Sequence, residues 1–469
     1  MIRRRNVLKA AATAIAAAGV VPRLGAAAST SAAATTASAA MPDVAIIGGG
    51  FAGVTAAREL SMRGRSAVLL EARDRLGGRT YTKDHEGHGL ELGGTWVHPA
   101  QPNVWAEITR YGLAVEAMPE PGARQTIWSG GKLVELDDAG LARAFEALAQ
   151  FCAPAADLYP APYSDRWGPD PQHYGDRSVR EYLKSLKFDP LLRDALDGMW
   201  STLASAPLDK AAASEMIRPF ALAGYSPTQT FAALTGTKIA SGTRALIEAI
   251  AGQAHGVEMR LGSPVQRVTQ TNAGVSVELA GGGTVAARTA LVTLPMNVLD
   301  SVTFAPQLSA AKRAASAERH AGSGVKYYVK VEGDVGNVSV FAPETQPINS
   351  VMTYSHAPNG TWLIVFGNSP QTLPYGDVAR LQAALEPLLP GARVDSVFGW
   401  DWDADPYALG TWCVFRPGQP GRVLPSLREQ EGRLFFASGD SAIAWRGFID
   451  GAIESGYRGA REIDRYLMG

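Results

Sequence analysis

An α/β architecture, with a doubly wound parallel sheet and a second α+β part built on a mixed sheet, is predicted by three features of the sequence. The first is a four-residue apolar run, Val44-Ala45-Ile46-Ile47, that stops at a glycine cluster and reads as a buried parallel strand. The second is a helix and strand directly after the glycines. Apolar positions recur at helical spacing from Ala52 to Arg63, and Ser66-Ala67-Val68-Leu69-Leu70 is another buried strand ending at Glu71, which completes a βαβ unit. The third is the return of strand-like runs late in the chain, after a long helical stretch.

In chain order, the first forty residues differ from the rest. Arg4-Arg5-Asn6-Val7-Leu8-Lys9 precedes an apolar run, Ala10 to Val21, and an Ala/Ser/Thr-rich tract to Ala40. A basic start, a short apolar centre and small-residue sites such as Ala26-Ala27-Ala28 or Ala37-Ser38-Ala39 make residues 1–40 an export signal and low-complexity linker. The run is too short to span a bilayer as a stable helix, so no transmembrane segment is expected. The arginine pair resembles a twin-arginine signal, which carries folded proteins to the periplasm or beyond, with an ordinary secretory signal as the alternative.

From Val104 to Tyr225 the pattern is helical, interrupted by Pro- and Gly-containing turns. Strands return at Val265–Thr269, at Val275, Val277 and Leu279, and at Ala290–Leu294. Further strands are read at Lys326–Val331, Ser350–Tyr354 and Trp362–Phe366, and a helix at Val378–Leu389. A last strand, Leu434–Ala437, leads to a long helix over Gly451–Leu467. This order predicts a nucleotide-binding domain from three segments, 43–115, 228–296 and 404–469, and a substrate domain from 116–227 and 297–403.

With 469 residues and 46% apolar content the chain can bury two cores. Its 44 basic and 45 acidic residues leave a net charge of −1, which points away from nucleic acid and anionic membranes. Its two cysteines, Cys152 and Cys413, exclude a disulfide framework but leave one bridge open, and no zinc-type Cys/His spacing is present, so no metal is expected.

Gly48-Gly49-Gly50-Phe51-Ala52-Gly53 fits the dinucleotide-binding pattern G-x-G-x-x-G between a strand and a helix. Gly48 allows the tight turn, Gly50 admits a pyrophosphate against the backbone, and Gly53 lets helix and strand pack closely. Glu71, at the end of the second strand, is placed to accept ribose hydroxyls. A second glycine pair flanked by arginines, in Ala72-Arg73-Asp74-Arg75-Leu76-Gly77-Gly78-Arg79-Thr80, suits more backbone lying against an anionic cofactor.

That run resembles the extended FAD signature of the flavin-containing, monoamine-oxidase-like amine oxidase superfamily. So do Leu92-Gly93-Gly94-Thr95-Trp96, Gly439-Asp440, and Trp445-Arg446-Gly447-Phe448-Ile449-Asp450-Gly451-Ala452. Within it, Gly93 to His98, Gln101 to Trp105 and Gly410-Thr411-Trp412-Cys413 resemble bacterial nicotine and pseudooxynicotine amine oxidases. The resemblance implies a Rossmann-like FAD domain, and oxidation of a primary or secondary amine to an imine that water hydrolyses to a carbonyl compound. Electrons would pass to O2 or a cytochrome c, and a homodimer is left open.

The resemblance also implies site residues. Trp412 and Phe448 would sandwich the amine, and Lys326 would reach flavin N5 through water. Trp402 would lie beside the flavin, Arg79 near the pyrophosphate, Val265 at adenine and Asp440 on the ribityl chain. The last helix, starting near Gly451-Ala452, would present N–H groups to the pyrimidine edge, with Ile449 also in the cofactor site. Gly48, Gly50, Phe51, Ala52, Gly53, Glu71, Ala72, Arg73, Gly78, Gly94, Thr95, Trp96 and Gly439 would complete the cofactor site.

Two departures qualify this. Thr411 stands where covalently flavinylated members carry cysteine, so FAD is expected to be non-covalent, and Pro99 replaces an aromatic expected in nicotine-type enzymes. His98 is read as a structural histidine. An L-amino-acid oxidase would need a cation for the substrate carboxylate, for which Arg416 and Arg446 are the candidates. A non-catalytic flavin-binding protein is the remaining alternative.

Overall fold

The computed structural model describes residues 41–469 apart from 86, 120–124 and 169–170. The export signal read at residues 1–40 lies outside the described residues. Five parallel strands form the first sheet, in the order Leu434–Phe436, Thr289–Val292, Val44–Ile47, Ala67–Leu70, Glu258–Arg260. Val44–Ile47 is central because it is apolar at every position and needs cover on both faces. Val44 and Ile46 pack under the helices Phe51–Met62, Gly242–Gly252 and Ile449–Met468, while Ala45 and Ile47 point toward a four-stranded sheet that contains Val265–Thr271.

A seven-stranded mixed sheet lies in the second part of the fold. Its order is Val394–Gly399, Val325–Glu332, Gly360–Gly367, Ser350–Ala357, Ser339–Phe341, Gln125–Ser129, Lys132–Leu136. Its central strands are longer than the sequence predicts, because pairing continues beyond the apolar run.

One expectation is corrected here. The stretch 104–225 is not helical throughout, since Gln125–Ser129 and Lys132–Leu136 form a hairpin on the edge of this sheet. Gly130 and Gly131, at φ 57° and 82°, make the two-residue turn that right-twisted strands require. The remainder of that stretch is mainly helical, including Pro190–Ala204. None of the described helices is long and apolar enough to cross a membrane.

Candidate active site

The site begins where the strand Val44–Ile47 ends. Gly48 has φ +113°, and a Cβ there would lie 2.6 Å from Thr293 Oγ1. Gly50 precedes the helix Phe51–Met62 in an extended conformation, and no side chain caps that helix. Its first-turn N–H groups therefore face outward with the positive end of the helix dipole. At Gly53 a Cβ would sit 2.0 Å from the Gly48 carbonyl oxygen, so only glycine permits this helix–strand approach.

Glu71 holds the turn together. Its Oε2 accepts the Gly49 N–H at 2.6 Å and its Oε1 accepts the Arg73 N–H at 2.8 Å. Arg73 then pairs with Asp405 at 2.6 Å and stacks on Tyr407. The second glycine pair lies directly against the first, since a Cβ on Gly78 would come 3.3 Å from Gly50 Cα. Both glycine loops line a cavity of about 540 Å³.

That one cavity collects every residue expected from the sequence except Gly53 and Asp440. Gly53 acts one layer behind, as its packing role requires. Asp440 needs a correction. Its carboxylate is fully buried, pairs with Arg79, and accepts the Met296 N–H at 2.8 Å, so it faces Arg79 instead of the cavity. Arg79 also donates to the Thr411 carbonyl at 3.0 Å while lining the cavity. The helix Ile449–Met468 also starts at the wall, with Phe448 as its uncapped entry residue. Two helix N-termini thus open on one cavity.

Lys326 is on the wall but is more fully engaged than expected. Its Nζ lies 2.6 Å from the Glu91 carbonyl, 2.7 Å from the Gly93 carbonyl and 2.5 Å from Thr95 Oγ1. Three acceptors match the three N–H bonds of an ammonium, so a charged Lys326 has no donor left for a water. The neutral amine keeps its bonds to the two carbonyls, but a third contact would need the Thr95 hydroxyl, which donates to the Gly93 carbonyl at 3.1 Å, to turn toward Nζ. Burial lowers this amine to a pKa of about 7, against the opposing pull of Glu91.

Trp402 donates Nε1–H to the Leu92 carbonyl at 2.8 Å, and Trp412 donates to the Leu203 carbonyl at 2.8 Å, so both rings are held in place. Phe448 packs edge-on against the buried Trp445. Thr411 lines the cavity, whereas Cys413 is buried in apolar core and does not. Cys413 and Cys152 are both free thiols, so no bridge joins them.

The sequence gives no sign of the far end of the cavity. Met199, Thr202 and Leu203 come from one face of the helix Pro190–Ala204, and Phe231, Leu234 and Thr235 from one face of Pro227–Thr235. Phe341, Met352 and Phe366 arrive from the seven-stranded sheet. Nothing local marks them, because apolar residues at helical or strand spacing look the same lining a cavity as filling a core.

The two arginines considered for an amino-acid carboxylate are corrected. Arg446 is fully buried on Glu215 at 2.5 Å, Arg416 donates to the carbonyls of Arg319 and His320, and neither lines the cavity. His98 is also off the wall; its Nδ1 accepts the Ala100 N–H at 3.1 Å, a structural role.

Comparison with known proteins decides the family. Residues 51–464 match the family described as flavin containing amine oxidoreductase. The chain belongs to this family. It is 41% identical to a pseudooxynicotine dehydrogenase of a Pseudomonas species over 91% of this chain and 87% of that one. It is also 34% identical to a nicotine dehydrogenase of Pseudomonas putida, over 91% and 89%. A putrescine oxidase structure superposes with a TM-score of 0.78 at 21% identity, covering 90% of this chain and 99% of that one, and shows the shared fold.

The protein is thus an amine-oxidising flavoenzyme with FAD as its cofactor. The site fits that group: two glycine loops that bring bare backbone to the wall, with only Gly78 Cα within 4 Å of where a Gly50 Cβ would lie, two uncapped helix N-termini for negative charge, and a cavity running on to an apolar end.

Proposed function

We propose that the enzyme oxidises a monoamine with an aromatic or apolar body, a compound like pseudooxynicotine, to an imine that hydrolyses to a carbonyl compound plus amine or ammonia. One observation carries this reading. The charged side chains on the wall are Glu71, Arg73, Arg79 and Lys326, and each is already engaged by protein partners, so the far end offers only apolar and hydroxyl surface. A second cationic amine, or an amino-acid carboxylate, would be desolvated there without a counter-charge.

Bound FAD supplies the hydride acceptor for the amine's α C–H. The chain does the rest. Trp412 and Phe448 hold the amine between apolar faces, where limited solvation favours its neutral, reactive form. Trp96, Phe366 and Met352 exclude water, and the residues around Arg79 orient the cofactor.

In this reading the flavin is held without a covalent bond, which is supported by Thr411 on the wall and by both thiols, Cys152 and Cys413, lying off it. The two relatives' names describe dehydrogenases, which favours an acceptor other than oxygen, with a cytochrome c as the candidate. Export of the FAD-loaded protein by the twin-arginine route belongs to the same proposal.

The test is anaerobic bleaching of the flavin band by pseudooxynicotine, nicotine, simple amines, a diamine and L-amino acids. Rapid bleaching by aromatic monoamines, followed by recovery on adding cytochrome c or oxygen, supports the reading and names the acceptor. Preference for a diamine or an L-amino acid overturns it. Denaturation that frees all FAD supports non-covalent binding, and loss of export in an Arg4→Lys/Arg5→Lys variant supports the route.

A further inference from the structure

Glu91 ends the strand His88–Glu91, one residue before the Leu92-Gly93-Gly94 motif, and is buried at 2% exposure. Its carboxylate faces away from the cavity and is tied down by three donors. Oε1 accepts the Thr82 hydroxyl at 2.6 Å and the Thr243 N–H at 2.9 Å, and Oε2 accepts the Thr243 hydroxyl at 2.6 Å. In each of these contacts the carboxylate is the acceptor. These contacts also cap the helix Gly242–Gly252, whose own entry residue Ser241 makes no cap. Thr82 adds to this by accepting the Arg244 N–H at 3.0 Å.

The other side of the same residue faces the site. The Glu91 main-chain carbonyl accepts both Lys326 Nζ at 2.6 Å and the Tyr328 hydroxyl at 3.0 Å. Lys326 is otherwise surrounded by Trp96, Tyr328 and Phe366, with the Tyr375 hydroxyl accepting its backbone N–H. The titratable groups around it are therefore Glu91 and tyrosines. Burial pushes Tyr328, Tyr354 and Tyr375 up, so they stay neutral at physiological pH, and Glu91 is the acidic group among them.

We propose that Glu91 is the positioning residue for Lys326: its anchored carboxylate fixes the main-chain carbonyl that receives Nζ and places a buried acidic group behind the amine. The inference rests on Lys326 facing the flavin. The two carbonyls accept from the amine in either state, while the Thr95 hydroxyl, which donates to the Gly93 carbonyl, accepts from the ammonium, so cage and Glu91 together oppose burial. Without the Glu91 charge burial would be opposed less, and the amine would stay neutral to lower pH.

The experiment is a pH titration of the flavin absorption band of substrate-free holoenzyme. Wild type is expected to show a band shift with a midpoint near pH 7. Lys326→Met abolishes it, and Glu91→Gln, which keeps the shape and can still accept from Thr82, moves the midpoint acid by about one unit or more. Glu91→Asp, which retains the charge, returns it toward wild type. A Gln variant with FAD bound and a wild-type midpoint overturns the role of Glu91 while leaving Lys326 in place. A shift that survives Lys326→Met, or no shift in wild type, overturns the placement of Lys326 and this inference with it. If Glu91→Gln yields no holoenzyme, Thr243→Val, which releases Oε2, carries the test. A smaller acid displacement supports the proposal and an unmoved midpoint overturns it.

Discussion

Asp440 holds Arg79. The carboxylate is fully buried, yet burial is outweighed by the Arg79 guanidinium and by the Met296 N–H, so its carboxyl sits below the ordinary value of 3.8. Removing one member of a buried pair leaves the other uncompensated. Asp440→Asn is therefore expected to weaken FAD binding by about tenfold or more, equivalent to about 1.4 kcal/mol, measured by fluorescence of released FAD. The sign with pH comes from the lowered value. The stabilisation is present above pH 3.8 and lost as pH falls through the folded-state pKa, a component the Asn variant lacks.

Gly53→Ala brings a methyl 2.0 Å from the Gly48 carbonyl oxygen, a backbone atom that cannot turn aside. The turn over the pyrophosphate must open. The expected outcome is protein purified with little or no flavin, read from the ratio of visible to ultraviolet absorbance. Gly252→Ala, a helical position with open space around its Cβ, serves as the control and retains FAD.

Lys326 has its folded-state pKa lowered from 10.5 to about 7 by burial, partly opposed by Glu91. Below pH 7 both folded and unfolded chains hold the proton, and the burial cost is felt in full. Between pH 7 and 10.5 only the unfolded chain holds it, so stability rises with pH across that window. Apo wild type is therefore expected to gain stability relative to apo Lys326→Met on going from about pH 6 to about pH 9. Denaturant midpoints at the two pH values check this, and an unchanged difference contradicts it.

Phe231 lies at the apolar end, edge-on to Phe145 and Phe341. Phe231→Asp adds the counter-charge that this end lacks. For aromatic monoamines kcat/KM is expected to fall by about tenfold or more, while selectivity shifts toward diamines. Steady-state rates with one of each class give the ratio.

Asp450 caps a helix that is not its own. Its Oδ1 accepts the N–H groups of Asn103 at 2.6 Å and Val104 at 2.9 Å, in the first turn of Pro102–Arg110, where Gln101 makes no cap. Asp450→Ala is expected to cost about 1–2 kcal/mol, seen as a lower Tm, with Asn recovering most of it.

The nucleotide half is legible in the sequence because its requirements are local. Gly48, Gly50 and Gly53 each answer a backbone constraint within six residues, and the acid ending the next strand has a fixed distance from them. The hairpin at 125–136 escapes a helical reading of its region, although Gly130-Gly131 between two apolar runs is a usable turn signal. For Asp440 the motif gives the right region with the wrong neighbour, because it fixes position along the chain but not which way a carboxylate turns.

By itself the sequence determined the glycine-built cofactor turn, the βαβ order and the family, all of which depend on short-range geometry or on residue type at motif positions. Tertiary structure alone decided which apolar residues line a cavity instead of filling a core. It also decided that Arg446 is spent on Glu215, and that Glu91 stands behind Lys326, 235 residues away in the chain. Such relationships are set by burial and by the pairing of distant charges, and neither has a signature in local spacing.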